Sequence, residues 1–317
     1  MTIKIIYGGA SLNPGYYPTD EGVQELLAVL KEEGVTTIDT ARLYAGSEET
    51  IGRNTTDFII DTKIPGGFGP GSAKRENLIA GADDSLEKLK IKQLDVFYIH
   101  APPVDVPFEE VLDAVNEVYK KGLFKRFGVS NFTAEQVQEF YDISKSKGYI
   151  LPSVYQGNYS AIARKTETEL FPTLRKLGFS FYAYSPIAGG FLVKTLEQLD
   201  EGSGKFNDNA VGGLYNKLYN RPIFRDALAD WNAIAKKEGV SNAELAYRWI
   251  AHHSLLKEEL GDAVIFGASR VQQARETTKA LKKGPLSSEA AEAINAIWPK
   301  LEKEAILDNW TVVSGGK

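Results

Sequence analysis

The sequence predicts a single closed (β/α)8 TIM barrel with a long loop after the seventh strand and extra C-terminal helices. Three observations carry that expectation. Short apolar runs rich in β-branched residues alternate with longer amphipathic stretches, the pattern of a parallel sheet wrapped by helices. Eight strand units fit into 317 residues, a count that favours a closed barrel over an open doubly wound sheet. No repeat of solenoid length interrupts the alternation, so residues 1–310 read as one domain and residues 311–317 as a loose tail.

The elements follow in order. Ile3-Lys4-Ile5-Ile6-Tyr7 is the first strand. After the turn-rich Asn13-Pro14-Gly15, Thr19 is placed to cap a helix whose apolar residues Val23, Leu26, Leu27 and Leu30 share one face, with Gly34 as its stop. Residues 35–39 form the second strand and 58–63 the third. A Gly/Pro loop from Pro65 to Gly71 then leads into a helix through Leu78, Ala82, Leu86 and Leu89. The fourth strand is 94–100. Helix 109–121 precedes strand 124–129, helix 133–147 precedes strand 153–156, and helix 166–177 precedes strand 179–184. The eighth strand, Ala263-Val264-Ile265-Phe266, comes after a long insertion, and an amphipathic helix near 287–304 closes the pattern. Segment 186–221 is rich in Gly and Asn with little periodicity, and a loop of that length is a candidate for covering a ligand.

Composition excludes several kinds of chemistry. With no cysteine and three histidines, the chain has no thiolate nucleophile, disulfide framework or cysteine-ligated metal. A net charge of −5 argues against nucleic acid as the main partner. No targeting signal is visible, and no apolar run reaches the 18 residues of a membrane span. A cytoplasmic protein with no membrane partner is expected.

In a (β/α)8 barrel the reactive groups belong at the C-terminal ends of the strands. Those positions hold Asp39, then Tyr44 in the following loop, Lys63 and His100. A tyrosine ordinarily titrates near about 10, and an adjacent ammonium is expected to lower that value. Lys63 is the candidate ammonium, Asp39 the carboxylate that makes its burial tolerable, and His100 the hydrogen-bonding partner of a substrate oxygen. Such a set donates a proton to an oxygen gaining negative charge, as carbonyl reduction by hydride requires. His252 and His253 lie on a helix away from the strand ends, where packing roles are expected.

Residues 38–48 (Ile-Asp-Thr-Ala-Arg-Leu-Tyr-Ala-Gly-Ser-Glu), Val96-Phe97-Tyr98-Ile99-His100 and Phe127-Gly128-Val129-Ser130-Asn131-Phe132 resemble the catalytic segments of the aldo-keto reductases. Residues 247–257 and 261–269 resemble the C-terminal third of the aflatoxin-aldehyde reductase subgroup. The resemblance spans roughly residues 3 to 305. It implies an enzyme that binds NADP(H) and reduces a small-molecule carbonyl substrate through the tetrad matched by Asp39, Tyr44, Lys63 and His100. It also implies a nicotinamide site at Ser130, Asn131 and Gln156, with Tyr184 as the stacking ring. The pyrophosphate would lie along Ser185, Pro186, Ala188, Gly189, Gly190 and Leu192, where glycines allow close backbone approach, with Lys205 closing over it. Gly267, Ser269 and Arg270 would hold the adenosine 2′-phosphate at a helix N-terminus, and Gln273 the adenine or ribose.

Two departures from the family pattern matter. Thr277 stands where the family usually has an asparagine toward the adenine. On the long loop, Tyr215 matches a substrate-contacting tyrosine, but Leu218 occupies the place of an arginine used by relatives that prefer carboxylated aldehydes. Neutral or aromatic aldehydes are therefore expected as substrates. The N-terminal loop offers Tyr16 and Tyr17 instead of an arginine. Barrels of this family also serve as nucleotide-sensing subunits of membrane channels, and the four tetrad positions would look the same in both. The sequence shows no extra N-terminal segment for channel assembly, so the enzyme is the expected reading. A metal-dependent hydrolase or a glycosidase would need strand-end ligands or paired carboxylates that the chain does not supply. A homodimer is left open.

Overall fold

The computed structural model describes residues 3–315. Eight parallel strands close on themselves in sequence order: β1 (Lys4–Gly8), β2 (Thr37–Asp39), β3 (Ile59–Ile64), β4 (Leu94–Ile99), β5 (Phe124–Ser130), β6 (Pro152–Asn158), β7 (Ser180–Tyr184) and β8 (Ala263–Phe266). The chain therefore forms the expected TIM barrel. Between the strands run α1 (Asp20–Glu32), α2 (Ser47–Asn54), α3 (Arg75–Leu89), α4 (Phe108–Lys120), α5 (Ala134–Lys147), α6 (Thr166–Glu169) and α7 (Phe171–Leu177). After β7 come α8 (Leu196–Asp200), α9 (Leu214–Tyr219), α10 (Pro222–Glu238) and α11 (Asn242–His252). After β8 come α12 (Val271–Lys282), α13 (Ser288–Asn295), α14 (Trp298–Leu301) and α15 (Asn309–Val313).

Strand alternation divides the apolar residues into two cores. Ile6, Val96, Tyr98, Val154, Tyr182, Ala263 and Ile265 form a small cluster of their own inside the barrel. A much larger cluster, including Leu26, Leu30, Leu78, Val111, Val115 and Phe140, lies between sheet and helices. Thr19 caps α1 by accepting from Gly22 N at 3.3 Å, and Gly34 follows the helix at φ +71°, as the sequence pattern indicated. Gly128 makes room for the barrel filling: a Cβ there would strike the Tyr98 ring.

Several boundaries differ from the sequence expectation. The second strand begins at Thr37, two residues late, and β6 runs on to Asn158. The stretch 166–177 is two helices, broken at Leu170 (φ −120°), with Pro172 in the first turn of the second; proline tolerates a first turn but no interior position. Pro299 likewise starts α14, so the final helix is split. The short α2 has no counterpart in the apolar pattern. It buries Ser47, Glu48, Thr50, Ile51 and Gly52, mostly polar or small, and Gly52 lies so close to the Lys88 carbonyl on α3 that a Cβ would collide with it.

Segment 186–221 is not a bare surface excursion. It winds through short turns, α8 and α9, and buries Phe191, Leu192, Phe206, Leu214, Leu218 and Tyr219. A short helix, α15, overlaps the start of the expected tail. Residues 309–313 are helical because Asp308 caps them, its Oδ1 accepting from Thr311 N and Thr311 Oγ1, both at 2.8 Å. The last two residues of that tail, Gly316 and Lys317, lie outside the described residues, as do Met1 and Thr2 at the other end. His252 and His253 hold the chain after α12 to α11. His252 Nε2 is 2.5 Å from the Lys283 carbonyl oxygen, and His253 Nε2 accepts from Leu286 N at 2.9 Å.

Candidate active site

The ends of β2, β3 and β4 bring Asp39, Lys63 and His100 to one mouth of the barrel, with Tyr44 on the turn that follows β2. Asp39 and Lys63 are both sealed from solvent. Lys63 Nζ donates to Asp39 Oδ1 (2.8 Å), Asp39 Oδ2 (2.7 Å) and the Thr40 carbonyl (2.7 Å), so all three of its N–H groups are engaged. Gln156 Nε2 also donates to Asp39 Oδ1 at 2.8 Å. The turn carrying Tyr44 is pinned by Ser47, whose Oγ donates to the Gly9 carbonyl at 2.8 Å and lies 2.7 Å from Thr40 Oγ1.

Lys63 Nζ faces the ring of Tyr44, 5.3 Å from its centroid, rather than its hydroxyl. The phenol is pushed well above its ordinary value by burial first, then by Asp39 and Tyr215. The expectation that Lys63 lowers it is not met. Asp39 and the Thr40 carbonyl absorb the ammonium's charge, leaving desolvation to dominate. His100 packs edge-on against Tyr44, with centroids 5.8 Å apart. Burial and then Lys63 hold its imidazole well below the usual histidine range. Its buried Nδ1 has no partner among the described residues. A neutral phenol and a neutral imidazole thus stand side by side.

The remaining predicted residues follow the ends of β5 to β8. Ser130 and Asn131 are buried, and Asn131 is already engaged: Nδ2 donates to the His100 carbonyl (2.8 Å) and Oδ1 accepts from Tyr184 Oη (2.8 Å). The half-buried Tyr184 ring is thereby fixed by its hydroxyl. Four non-glycine residues among those described have positive φ. Lys90 ends a helix; the others are Asn131 (61°), Ser185 (56°) and Ala188 (51°). Gly189 (67°) and Gly190 (107°) continue the left-handed stretch, followed by Leu192, which is buried. A Cβ on Gly189 would strike the Tyr215 ring, whereas none of the described atoms lies within 4 Å of one on Gly190. Lys205 Nζ meets Tyr215 Oη at 3.4 Å. Past β8, Ser269 N and Oγ both donate to Gln273 Oε1 (3.0 and 3.2 Å), and Arg270 stands at the N-cap position of α12 with no side-chain cap bond. Thr277 is buried on α12 against Tyr247.

The profile of the Aldo/keto reductase family matches residues 4–299. The chain belongs to that family. It is a carbonyl oxidoreductase, similar over most of its length to several named relatives. The oxidoreductase sirO of Leptosphaeria maculans is 37% identical over 292 residues, 90% of this chain and 88% of the relative. The human aldo-keto reductase family 7 member A3 is 37% identical over 284 residues, 84% and 86% of the two chains. The human aflatoxin B1 aldehyde reductase member 4 is 36% identical over the same length and shares. No helix among the described residues is long and apolar enough to cross a membrane.

Two side chains of this aldo/keto reductase escaped the sequence reading. Phe68, in the Gly/Pro loop after β3, lies edge-on to His100 at 5.3 Å, and Trp310 of α15 lies edge-on to Phe68 at 5.2 Å. Nothing local signals either, since both reach the site only through loop and tail geometry. Below the site, Asp61 is buried inside the barrel. Its Oδ1 accepts from Val96 N at 3.0 Å, while Oδ2 and the Tyr98 hydroxyl have no partner among the described residues. Burial, then Asp39 and Asp95, push Asp61 up to about 7.

The folded reductase therefore keeps a proton on Asp61 that the unfolded chain releases near about pH 4. That contribution to stability is complete below about pH 4 and is lost as the pH rises to about 7. Asp61→Asn removes the buried charge. In urea titrations it should be more stable than wild type by about 2–4 kcal/mol at pH 8, with the gap closing toward pH 4. A gap that is constant with pH contradicts this reading.

Proposed function

We propose that this reductase uses NADPH to reduce neutral or aromatic aldehydes and ketones, with Tyr44 as the proton donor. The observation that supports it best is the neutral Tyr44 phenol beside the neutral His100 imidazole, above an Asp39–Lys63 pair whose hydrogen bonds are saturated. The cofactor, when bound, supplies hydride to the carbonyl carbon. Tyr44 gives its hydroxyl proton to the carbonyl oxygen, and His100 orients that oxygen by hydrogen bonding. Lys63, held by Asp39 and the Thr40 carbonyl, packs its ammonium against the ring of Tyr44 and keeps the donor in place.

The residues present suit a dinucleotide. Backbone strain is concentrated at Asn131, Ser185 and Ala188, and such strain clusters at ligand sites. Glycine at 190 leaves open space where a side chain would stand. Tyr184 offers a ring face to a nicotinamide, with Ser130 and Gln156 nearby. Ser185, Pro186, Ala188, Gly189, Gly190 and Leu192 would line the pyrophosphate under Lys205. Gly267, Ser269 and Gln273 shape the adenosine end. There Arg270, exposed and without an ion-pair partner among the described residues, favours a 2′-phosphate and hence NADP(H) over NAD(H). Purified protein should oxidise NADPH faster than NADH with an added aromatic aldehyde. Tight NADPH binding with no turnover on any carbonyl would point to a nucleotide sensor instead.

Substrate preference follows from Leu218 and the aromatic wall. Leu218 is buried on α9 and carries no charge to meet a carboxylate, while Phe68 presents its ring beside His100 and is backed by Trp310. A nitrobenzaldehyde should exceed succinic semialdehyde in kcat/KM by about tenfold or more, the worth of one missing charge-assisted pair. The reverse order would refute the preference.

A further inference from the structure

The β1–β8 ladder ends at the pair Tyr7 and Phe266. Two residues beyond it, the buried Ala268 carbonyl oxygen is met by three hydroxyl groups from the other side of that seam. Tyr7 Oη lies at 2.9 Å, Ser11 Oγ at 2.8 Å and Tyr17 Oη at 3.3 Å. Tyr7 Oη and Ser11 Oγ are themselves 2.9 Å apart. Tyr7 and Tyr17 are buried, whereas the neighbouring Tyr16 is exposed. Both phenols are raised by burial and remain protonated donors.

A peptide carbonyl has two lone pairs and is satisfied by one or two donors. Three hydroxyls converging on one oxygen exceed what satisfying that carbonyl needs. What they add is direction: the Ala268–Ser269 peptide is planar, so fixing its oxygen fixes the Ser269 N–H on the opposite side. Hydrogen bonds to the oxygen also polarise the peptide and strengthen that N–H, which donates to Gln273 Oε1 at 3.0 Å and so ties the segment to the first turns of α12. Ser269 and Arg270 follow at once, leading into the uncapped first turn of α12.

We propose that Tyr7, Ser11 and Tyr17 form a hydroxyl clamp that positions the Ser269–Arg270 segment for the 2′-phosphate of the cofactor, and so sets the discrimination between NADP(H) and NAD(H). The inference rests on the reading above that this segment receives the phosphate. The three are positioning residues, acting through the Ala268 peptide without touching the reacting atoms.

The test is the ratio of two affinities. Dissociation constants for NADP+ and NAD+ are measured by tryptophan fluorescence quenching for wild type, Ser11→Ala, Tyr17→Phe, their double variant, and Arg270→Ala. NAD+ binding reports on the integrity of the fold within the same sample. In the double variant the NADP+ constant should rise about tenfold, from the loss of two hydrogen bonds, with NAD+ changed less than about twofold and each single variant in between. Equal weakening of both nucleotides, or of neither, while Arg270→Ala still weakens NADP+ selectively, overturns the clamp and leaves the phosphate assignment standing. If Arg270→Ala leaves NADP+ affinity unchanged, the assignment of the phosphate to this segment fails and the clamp falls with it.

Discussion

Tyr44→Phe is expected to lower kcat for carbonyl reduction by about 10²–10⁴, the usual contribution of a positioned general acid, with little effect on folding or cofactor affinity. The substitution removes one oxygen and keeps the ring that packs edge-on against His100 and under Lys63 Nζ. No hydrogen bond to the Tyr44 hydroxyl is broken among the described residues, because the Lys63 donors point to Asp39 and Thr40. The melting temperature should therefore stay within a few degrees, and the NADPH dissociation constant within about twofold. The pH profile offers a second check. A donor must be protonated, and the phenol is held above its ordinary value while His100 is held below its own. The wild-type rate of reduction should then stay level from about pH 7 to about pH 10, where a tyrosine at its ordinary midpoint of about 10 would already be half deprotonated. Retention of more than a tenth of wild-type kcat in the Phe variant would remove Tyr44 from the donor role.

Much of this architecture was legible because it repeats. Strand runs of β-branched residues and the amphipathic α1 and α4 announce themselves by period, and polar residues closing apolar strands mark Asp39, Lys63 and His100. Elements stabilised by close approach rather than by an apolar stripe were not legible. The helix α2 buries Ser47, Thr50 and Gly52 against its neighbours, and α15 depends on one capping aspartate and on Trp310 meeting Phe68. Neither pattern has a hydrophobic period. The positive φ of Ser185 and Ala188 was equally hidden, because in sequence only the glycines beside them suggest left-handed backbone. Proximity of Lys63 to Tyr44 followed from strand ends, but which atoms the ammonium would satisfy depended on the Thr40 carbonyl and on Gln156, three strands away across the barrel mouth.

That allocation of donors makes Lys63→Met the variant with the largest combined effect. Methionine fills a similar volume but leaves the Asp39 carboxylate, 2% exposed, with only the Gln156 amide. Removing one partner of a buried ion pair costs about 3–5 kcal/mol, a large fraction of the total stability of a domain. Turnover should vanish as well, since the ammonium that packs against the Tyr44 ring and holds the proton donor in place is gone. Loss of activity in an unstable variant proves little by itself, so the decisive comparison is with Asp39→Asn and with the double variant Lys63→Met/Asp39→Asn. Replacing both partners removes the uncompensated charge, and stability should return to within about 1–2 kcal/mol of wild type. Activity should not return with it. In Asp39→Asn alone the ammonium is no longer neutralised, and the carboxylate that helps raise the Tyr44 phenol is gone. The alkaline fall in kcat should therefore begin at lower pH than in wild type. A double variant that recovered turnover along with stability would show that the pair only holds the barrel together; an Asp39→Asn profile identical to wild type would show that Asp39 does not govern the phenol.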